Sequence, residues 1–379
     1  MSDIYKCFMC GDELTEENSS DEHILLNALG GHIHSKKLIC KNCNSALGST
    51  SDDELAKELN FFASFLDVPR QRGKNQIIKT LDEKYDLMPG GVPVLRQPIV
   101  KKTKNENGFR FEAQVKDESD LEWILKGIAK KHPGIDVRKA FQSKQVKNER
   151  MNQITIPAFF SAHAIFPSII KSAVEYYLLC GGNMCYVQHL MQAIKGEENS
   201  FDYCMYCYPR EELFREYIGS IYHILYVKGN ATEHLLYGYV SYFGVLQCIV
   251  LLNDNYDGPD FEQGYNYEVL TRQAGVIKPQ YILTRKQVDE IMRTSFADNL
   301  PRLEMGIGKF LRNADYIQTR EKSMPVFNAF YDEQRERLRK GEINTVQMKN
   351  ACVKKYSDLI MPWLAKYIPK DPYEDLKEL

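Results

Sequence analysis

Cys7-Phe-Met-Cys10 and Cys40-Lys-Asn-Cys43 are two copies of one pattern, a pair of cysteines separated by two residues. Each pair can place two sulfurs on the same metal ion, and two pairs complete the four ligands of a tetrahedral zinc site. Glu22 and His23 lie between the pairs, and Asn44 follows the second pair directly. Their oxygen and nitrogen atoms suit a second, catalytic cation. This stretch therefore predicts a zinc clamp, formed by the four cysteines, that also carries candidate chemistry.

The composition is that of an ordinary globular protein, with 44% hydrophobic and 26% charged residues. A length of 379 residues exceeds what one hydrophobic core usually serves, so we expect two or three domains. The formal net charge of -2 excludes a broadly basic protein that coats nucleic acid. Any nucleic-acid partner must therefore be met by a local basic patch.

The sequence also indicates a cellular compartment. Residues 1–8 contain no apolar stretch of the kind found in signal peptides. The longest apolar run, residues 239–252, contains Gln247 and is shorter than the roughly 20 residues of a membrane-spanning helix. We therefore expect a cytoplasmic protein without a membrane segment. In that reducing environment paired cysteines favour zinc over disulfides.

Three regions differ in pattern and predict an α+β protein. Residues 1–66 carry the cysteine pairs and end in a helical pattern, which Asp52 and Asp53 begin. Residues 67–155 are predicted to form a linker with a small α+β segment. This region is basic, because residues 101–150 contain thirteen Lys and Arg against eight Asp and Glu. Residues 156–379 form a larger α+β region that regulates the protein or recognises its substrate.

Within this last region the local patterns predict both element types. Pro167 can occupy the first turn of a helix that ends at Cys180. Three strand-like runs, residues 221–227, 235–242 and 246–252, predict an antiparallel meander. The pattern becomes helical after about residue 280.

The spaced elements C-x-x-C, E-H-I, G-G and C-x-x-C-N resemble the HNH endonucleases, in their four-cysteine zinc subgroup. The resemblance covers roughly the first 60 residues and is carried by Cys7, Cys10, Glu22, His23, Gly30, Gly31, Cys40, Cys43 and Asn44. It implies a ββα-metal, treble-clef-like fold, in which a hairpin carries the Glu-His pair and the second cysteine pair opens a short helix. It also implies hydrolysis of phosphodiester bonds, with double-stranded DNA as the expected partner.

By the same resemblance, His23 is the general base that activates water, and Glu22 and Asn44 hold one Mg²⁺ or Mn²⁺ ion. A neutral imidazole suits the base, and oxygen ligands suit a hard cation. Adjacent residues of a strand face opposite sides, so a bulge or a strand end has to reconcile Glu22 with His23. The family's middle Asn is replaced here by Ser35, next to His34. Both are therefore candidate site residues, and His32 is a second-tier candidate.

Two further groups of residues could bind ligands. Basic residues near the motif are candidate contacts to nucleic-acid phosphates, at Lys36, Lys37, Lys41, Arg70, Arg72 and Lys74. Cys204-Met-Tyr-Cys207 repeats the cysteine spacing, and Cys180 with Cys185 would complete a second zinc site. The alternative is that these cysteines are buried core thiols.

Three functions stay open from the sequence. The first is a metal-dependent DNA endonuclease of bacterial phage defence. The second is a non-catalytic zinc module that binds nucleic acid or protein, and the third is a nuclease gated by an unknown activating ligand of the C-terminal region. A single site of this fold cuts one strand, so double-strand cleavage needs a homodimer or successive nicks.

Overall fold

The computed structural model describes residues 4–70, 73–105, 108–142, 144, 155–156 and 160–366. These residues form an α+β protein with antiparallel sheets and C-terminal helices, which confirms the predicted fold class. They divide into two compact units. The first unit comprises Met1–Ile24, His34–Asn44 and Phe166–Leu379, and the second comprises Leu25–Ile33 and Ser45–Ile165. The domain limits expected after residues 66 and 155 stay predictions.

The N-terminal part of the first unit is a small antiparallel ribbon next to the start of a helix. Strands β1 (Glu22–His23) and β2 (His34–Ser35) pair in regular register, so that Glu22 faces Ser35 and His23 faces His34. Helix α1 (Lys41–Gly48) begins directly after Cys40. The second cysteine pair therefore opens a helix, as the resemblance implies.

The second unit contains a buried helix and two small sheets. Helix α2 (Ser51–Phe65) has Asp52 and Asp53 in its first turn, where the negative charge of a carboxylate interacts favourably with the helix dipole and stabilises the helix. Its elements after α2 are β3 (Ile78–Lys79), β4 (Tyr85–Met88), β5 (Val92–Leu95), β6 (Ile99–Asn105), β7 (Gly108–Gln114), α3 (Glu118–Lys131) and α4 (Val137–Gln142). Strands β3, β4 and β5 form one antiparallel sheet, and β6 pairs with β7 alone.

The two adjacent glycines of the motif lie in this unit and close a tight turn after the short 3-10 helix Asn27–Leu29. Gly30 has φ +87°, which L side chains rarely adopt, and a Cβ there would lie 2.3 Å from Val68 Cγ1. A Cβ on Gly31 would lie 2.0 Å from the carbonyl oxygen of Leu25. The Gly-Gly sequence is therefore required by close packing of the loop between β1 and β2.

A six-stranded antiparallel sheet dominates the first unit, in the order β13-β12-β9-β10-β11-β8. It extends the predicted three-stranded meander by three strands. The elements are α5 (Ala162–Leu179), α6 (Met191–Lys195), β8 (Cys204–Tyr206), β9 (Tyr222–Asn230), β10 (Leu235–Tyr242), β11 (Leu246–Asn253), β12 (Phe261–Glu268) and β13 (Gln273–Val276). Helix α5 packs closely on β10, because a Cβ on Gly238 would lie 2.9 Å from the Cβ of Ala173.

The predicted start of α5 at Pro167 is wrong. The helix begins at Ala162, and Pro167 lies inside it. A proline inside a helix costs about 3 kcal/mol or more, since it removes one hydrogen bond. Ile165 and Phe166 are both fully buried. Burial of these two side chains ahead of the proline explains why the helix extends upstream.

The chain after residue 280 is helical, as predicted, with α7 (Arg285–Met292), α8 (Phe296–Arg339) and α9 (Thr345–Leu364). Capping boxes at Thr284, Ser295 and Asn344 satisfy the first backbone amides of these helices. Among the described residues, no helix has the length and apolar character needed to cross a membrane.

Candidate metal centre and nuclease site

The four N-terminal cysteines converge on one point. Their Sγ atoms all lie within 4.8 Å of one another, and the Sγ atoms of Cys10 and Cys40 are 3.9 Å apart. A tetrahedral zinc ion with Zn–S bonds of about 2.3 Å separates its sulfur ligands by about 3.8 Å. The cysteines therefore fit a structural zinc ion without rearrangement.

Backbone hydrogen bonds hold the cysteines in this geometry. The amide of Cys40 donates to Cys7 Sγ at 3.4 Å, and the amide of Cys43 donates to Cys40 Sγ at 3.5 Å. The amide of Phe8 donates to the carbonyl of Leu38, which joins the two cysteine loops. The sulfurs therefore lie where backbone donors stabilise thiolates.

The pKa differs among the thiols of Cys10, Cys40 and Cys43. Desolvation raises the pKa of Cys10 to about 11 and raises the pKa of Cys43 still further. Burial alone would also raise the pKa of Cys40, but hydrogen bonds with Cys43 and Cys7 lower it below its ordinary value. Zinc binds thiolates, so its binding at this site releases protons.

The predicted general base, His23, lies on the ribbon beside a second histidine. Its ring is half-buried, with its centroid 5.4 Å from that of His34. His34 donates a hydrogen bond from Nδ1 to the carboxylate of Asp21 at 2.7 Å. Asp21 was not a sequence candidate, because an acid before a strand usually indicates only a solvated turn. The ribbon thus brings together two candidates, His23 and His34, and adds an acid that orients one of them.

The predicted metal ligand Glu22 has a different neighbour. Its side chain is buried, with the residue 3% exposed, and Oε1 lies 2.6 Å from Nζ of Lys171 in α5. Lys171 is itself 0% exposed. The regular pairing of β1 with β2 turns Glu22 and His23 to opposite faces of the ribbon. The structure therefore places no bulge here that would bring the two side chains to one side.

Lys171 is a second residue of this site, after Asp21, that sequence reasoning missed. It lies far from Glu22 in the chain, and no local spacing joins the two. The available signal was a lysine within the apolar stretch from Ile169 to Val174, all of whose residues are buried. Lysine is almost never fully buried unless it is paired, so this position predicts an acidic partner without naming it.

Asn44 and Ser35 make local contacts. The Asn44 side chain, in the first turn of α1, donates from Nδ2 to the hydroxyl of Ser20 at 2.7 Å. This hydrogen bond uses the amide nitrogen and not the oxygen that a cation would require. The Ser35 hydroxyl accepts the backbone amide of Lys37 at 3.2 Å. Ser35 therefore braces the turn after β2, whereas His34 is the residue beside His23.

The candidate phosphate contacts differ in their surroundings. Lys36 and Lys74 are exposed. Lys37 donates to the Tyr5 hydroxyl at 2.8 Å, and Lys41 donates to the carbonyl of Glu17 at 2.5 Å. Arg70 donates to Asn60 at 3.3 Å, while Arg72 lies outside the described residues.

The cysteines of the later region form no second cluster. Within the described part of the chain, Cys7, Cys10, Cys40 and Cys43 are the only group of three or more His, Cys, Asp or Glu side chains placed to share a metal ion. Cys204 and Cys207 are buried at strand β8, and burial raises the pKa of both thiols well above the ordinary value. Cys180 is half-buried and Cys185 is exposed. The interpretation as core thiols is therefore correct for Cys204 and Cys207.

Comparison with curated proteins and with solved structures found no match for the chain. Comparison with protein families did find one. Residues 7–60, which contain the zinc clamp, Glu22, His23 and Asn44, match the family described as HNH endonuclease, and this confirms the resemblance carried by those residues.

Proposed function

We propose that the protein is an HNH endonuclease that hydrolyses phosphodiester bonds of DNA, with His23 as the general base. The observation that carries the proposal is the ribbon itself, on which His23 and His34 share one face next to four converging cysteines. An endonuclease needs a base beside the attacking water, and a half-buried imidazole on a rigid ribbon is suited to that task.

The zinc clamp gives this ribbon its rigidity. Cys7, Cys10, Cys40 and Cys43 would hold the ion, which supplies folding free energy to a segment with a small core. One cysteine pair precedes β1 in the sequence and the other lies at the start of α1, so the zinc ion would join the two ends of this stretch. Zinc in this site is therefore structural, and it acts on catalysis through the placement of His23.

His23 would accept a proton from the attacking water as that water approaches the phosphorus atom. His34 takes the bracing role that the family gives to an asparagine, because its ring lies beside His23 and its own orientation is set by Asp21. The exposed Lys36 is a candidate contact to the negatively charged backbone of DNA.

The family resemblance also assigns a divalent ion, Mg²⁺ or Mn²⁺, to Glu22 and Asn44. In the described conformation Glu22 does not fit such an ion. The Glu22 carboxylate is buried against the ammonium of Lys171. Asn44 donates from its amide nitrogen to Ser20, and this hydrogen bond does not use the amide oxygen. A cation at Glu22 would meet another cation at close range in a poorly solvated place.

The test is cleavage of supercoiled plasmid by the full chain in Mg²⁺, Mn²⁺ or EDTA. We expect wild type to nick the plasmid and His23→Ala to be slower by about 10²- to 10⁴-fold, the usual contribution of a general base. His163→Ala is a matched control, because His163 is exposed on α5 and has no role in the proposal.

If neither wild type nor Lys171→Met, which lacks the ammonium beside Glu22, cleaves plasmid or linear DNA with any metal, the nuclease proposal fails. DNA binding without cleavage would then support the non-catalytic zinc module. The homodimer, the activating ligand and the role in phage defence stay predictions.

A further inference from the structure

Glu22 and Lys171 form a deeply buried ion pair at the HNH-like motif. The side chains are 4% and 1% exposed, and the two charged atoms are 2.6 Å apart. Transfer of either charge from water into the protein interior is costly unless an opposite charge is present. Lys171 therefore acts as the counter-ion that allows Glu22 to be buried.

A divalent cation would need the same carboxylate. Hard cations bind carboxylate oxygens at about 2.0–2.6 Å, which is also the distance of the Lys171 ammonium. An ammonium and a divalent ion bound to one buried carboxylate repel each other strongly, since little solvent screens them. In the described conformation the lysine therefore competes with a divalent ion for Glu22.

Lys171 has no short route from Glu22 to solvent. It lies in the middle of α5, and its neighbours Ile170, Ala173 and Val174 are all buried. The close approach of Ala173 to Gly238 fixes the same helix on strand β10. An exit to solvent for the ammonium therefore requires movement of α5 away from β1.

We propose that Lys171 keeps divalent cations off Glu22 until α5 moves away from β1, so that α5 controls loading of the catalytic metal. The inference rests on the proposed function, because it takes Glu22 as the carboxylate to which the resemblance to HNH endonucleases assigns the divalent ion. The described conformation is then the closed form. A ligand that displaces α5 would open the site.

The experiment is a Mn²⁺ titration of the zinc-loaded full chain, followed by loss of the six-line electron paramagnetic resonance signal of free Mn²⁺. We expect Lys171→Met to bind Mn²⁺ at least about tenfold more tightly than wild type, and Glu22→Gln in the Lys171→Met background to remove the gain. Lys228→Met is the matched control, because Lys228 pairs with Glu262 on the sheet at 3.1 Å and is far less buried. Equal or weaker Mn²⁺ binding by Lys171→Met overturns the proposal.

A measurement without mutation covers the case in which Lys171→Met does not fold. Amide hydrogen exchange of wild type is compared without Mn²⁺ and at saturating Mn²⁺. We expect faster exchange in α5 and unchanged exchange in the central strand β10. Unchanged exchange of α5 at saturation refutes the movement.

Plasmid cleavage by the same preparations separates this inference from the nuclease proposal. Cleavage by wild type without a Mn²⁺ gain in Lys171→Met contradicts the control by Lys171 and leaves the nuclease intact. Tighter Mn²⁺ binding through Glu22 without cleavage by any preparation contradicts the nuclease and leaves the competition at Glu22 intact.

Discussion

Removal of one partner of the Glu22–Lys171 pair should cost far more stability than removal of an exposed partner elsewhere. With Nζ and Oε1 2.6 Å apart, the Coulomb attraction is about 6 kcal/mol at an effective dielectric constant of about 20. Much of this is offset by the desolvation of both ions. Loss of one partner, however, leaves the other charge buried and uncompensated, at a cost of about 3–5 kcal/mol.

The comparison is with the pair of Lys228 and Glu262. Its atoms are 3.1 Å apart, but the side chains are 18% and 34% exposed. Solvent screens such a pair, so its expected contribution is about 0–1 kcal/mol. We therefore expect Lys171→Met to lower the free energy of unfolding by about 3–5 kcal/mol and Lys228→Met by less than about 1 kcal/mol.

The assay is urea unfolding of the full chain, monitored by circular dichroism, in a double-mutant cycle of Glu22→Gln and Lys171→Met. The double variant should be considerably more stable than the sum of the two single losses predicts, because neither member of the pair is left charged without the other. If Lys171→Met and Lys228→Met cost the same within error, the reasoning about burial is wrong. Additive single losses in the cycle would contradict the direct pairing.

Two further predictions concern the metal and pH. Mass spectrometry of the purified protein should find about one zinc ion per chain, and a content of two would contradict a single clamp. Cys43→Ser should lose the zinc ion and melt at a lower temperature, whereas Cys185→Ser should keep both the zinc ion and the melting temperature. Burial raises the pKa of Glu58 from 4.5 to about 7. The hydrogen bond from the Ser161 amide opposes this rise, and the nearby charge of Glu54 adds to it. The stability that goes with its neutral form is complete below pH 4.5 and is lost as pH rises through 7, so Glu58→Gln should gain melting temperature relative to wild type between pH 5 and pH 8. A constant difference across that range would show that the carboxyl does not titrate as argued.

The sequence predicted the parts of the site that depend on local spacing. Cysteines separated by two residues lie in one loop, so the zinc clamp could be predicted from the sequence alone. The alternation of residues along a strand also raised the difficulty that Glu22 and His23 point to opposite faces. The partner of Glu22 could not be derived, because Lys171 reaches it through the packing of α5.

The helix boundaries show a similar limit. Pro167 is a helix start by local preference, yet burial of Ile165 and Phe166 extends α5 upstream. Likewise Pro301 and Pro325 do not end α8, which runs from Phe296 to Arg339. The cost of a proline inside a helix is about 3 kcal/mol, and the free energy gained by burying apolar side chains of the same helix can exceed it.

The placement of Lys171 has a consequence for how the HNH-like segment can be isolated. A fragment that ends near residue 66 retains every residue of the family match and loses the counter-ion of Glu22. In the fragment the carboxylate would be exposed to water and to any cation in the buffer. Metal affinity and cleavage measured on it would therefore describe a different electrostatic environment from that of the whole chain. A fragment that keeps the buried ion pair of Glu22 has to include α5 and the sheet that supports it.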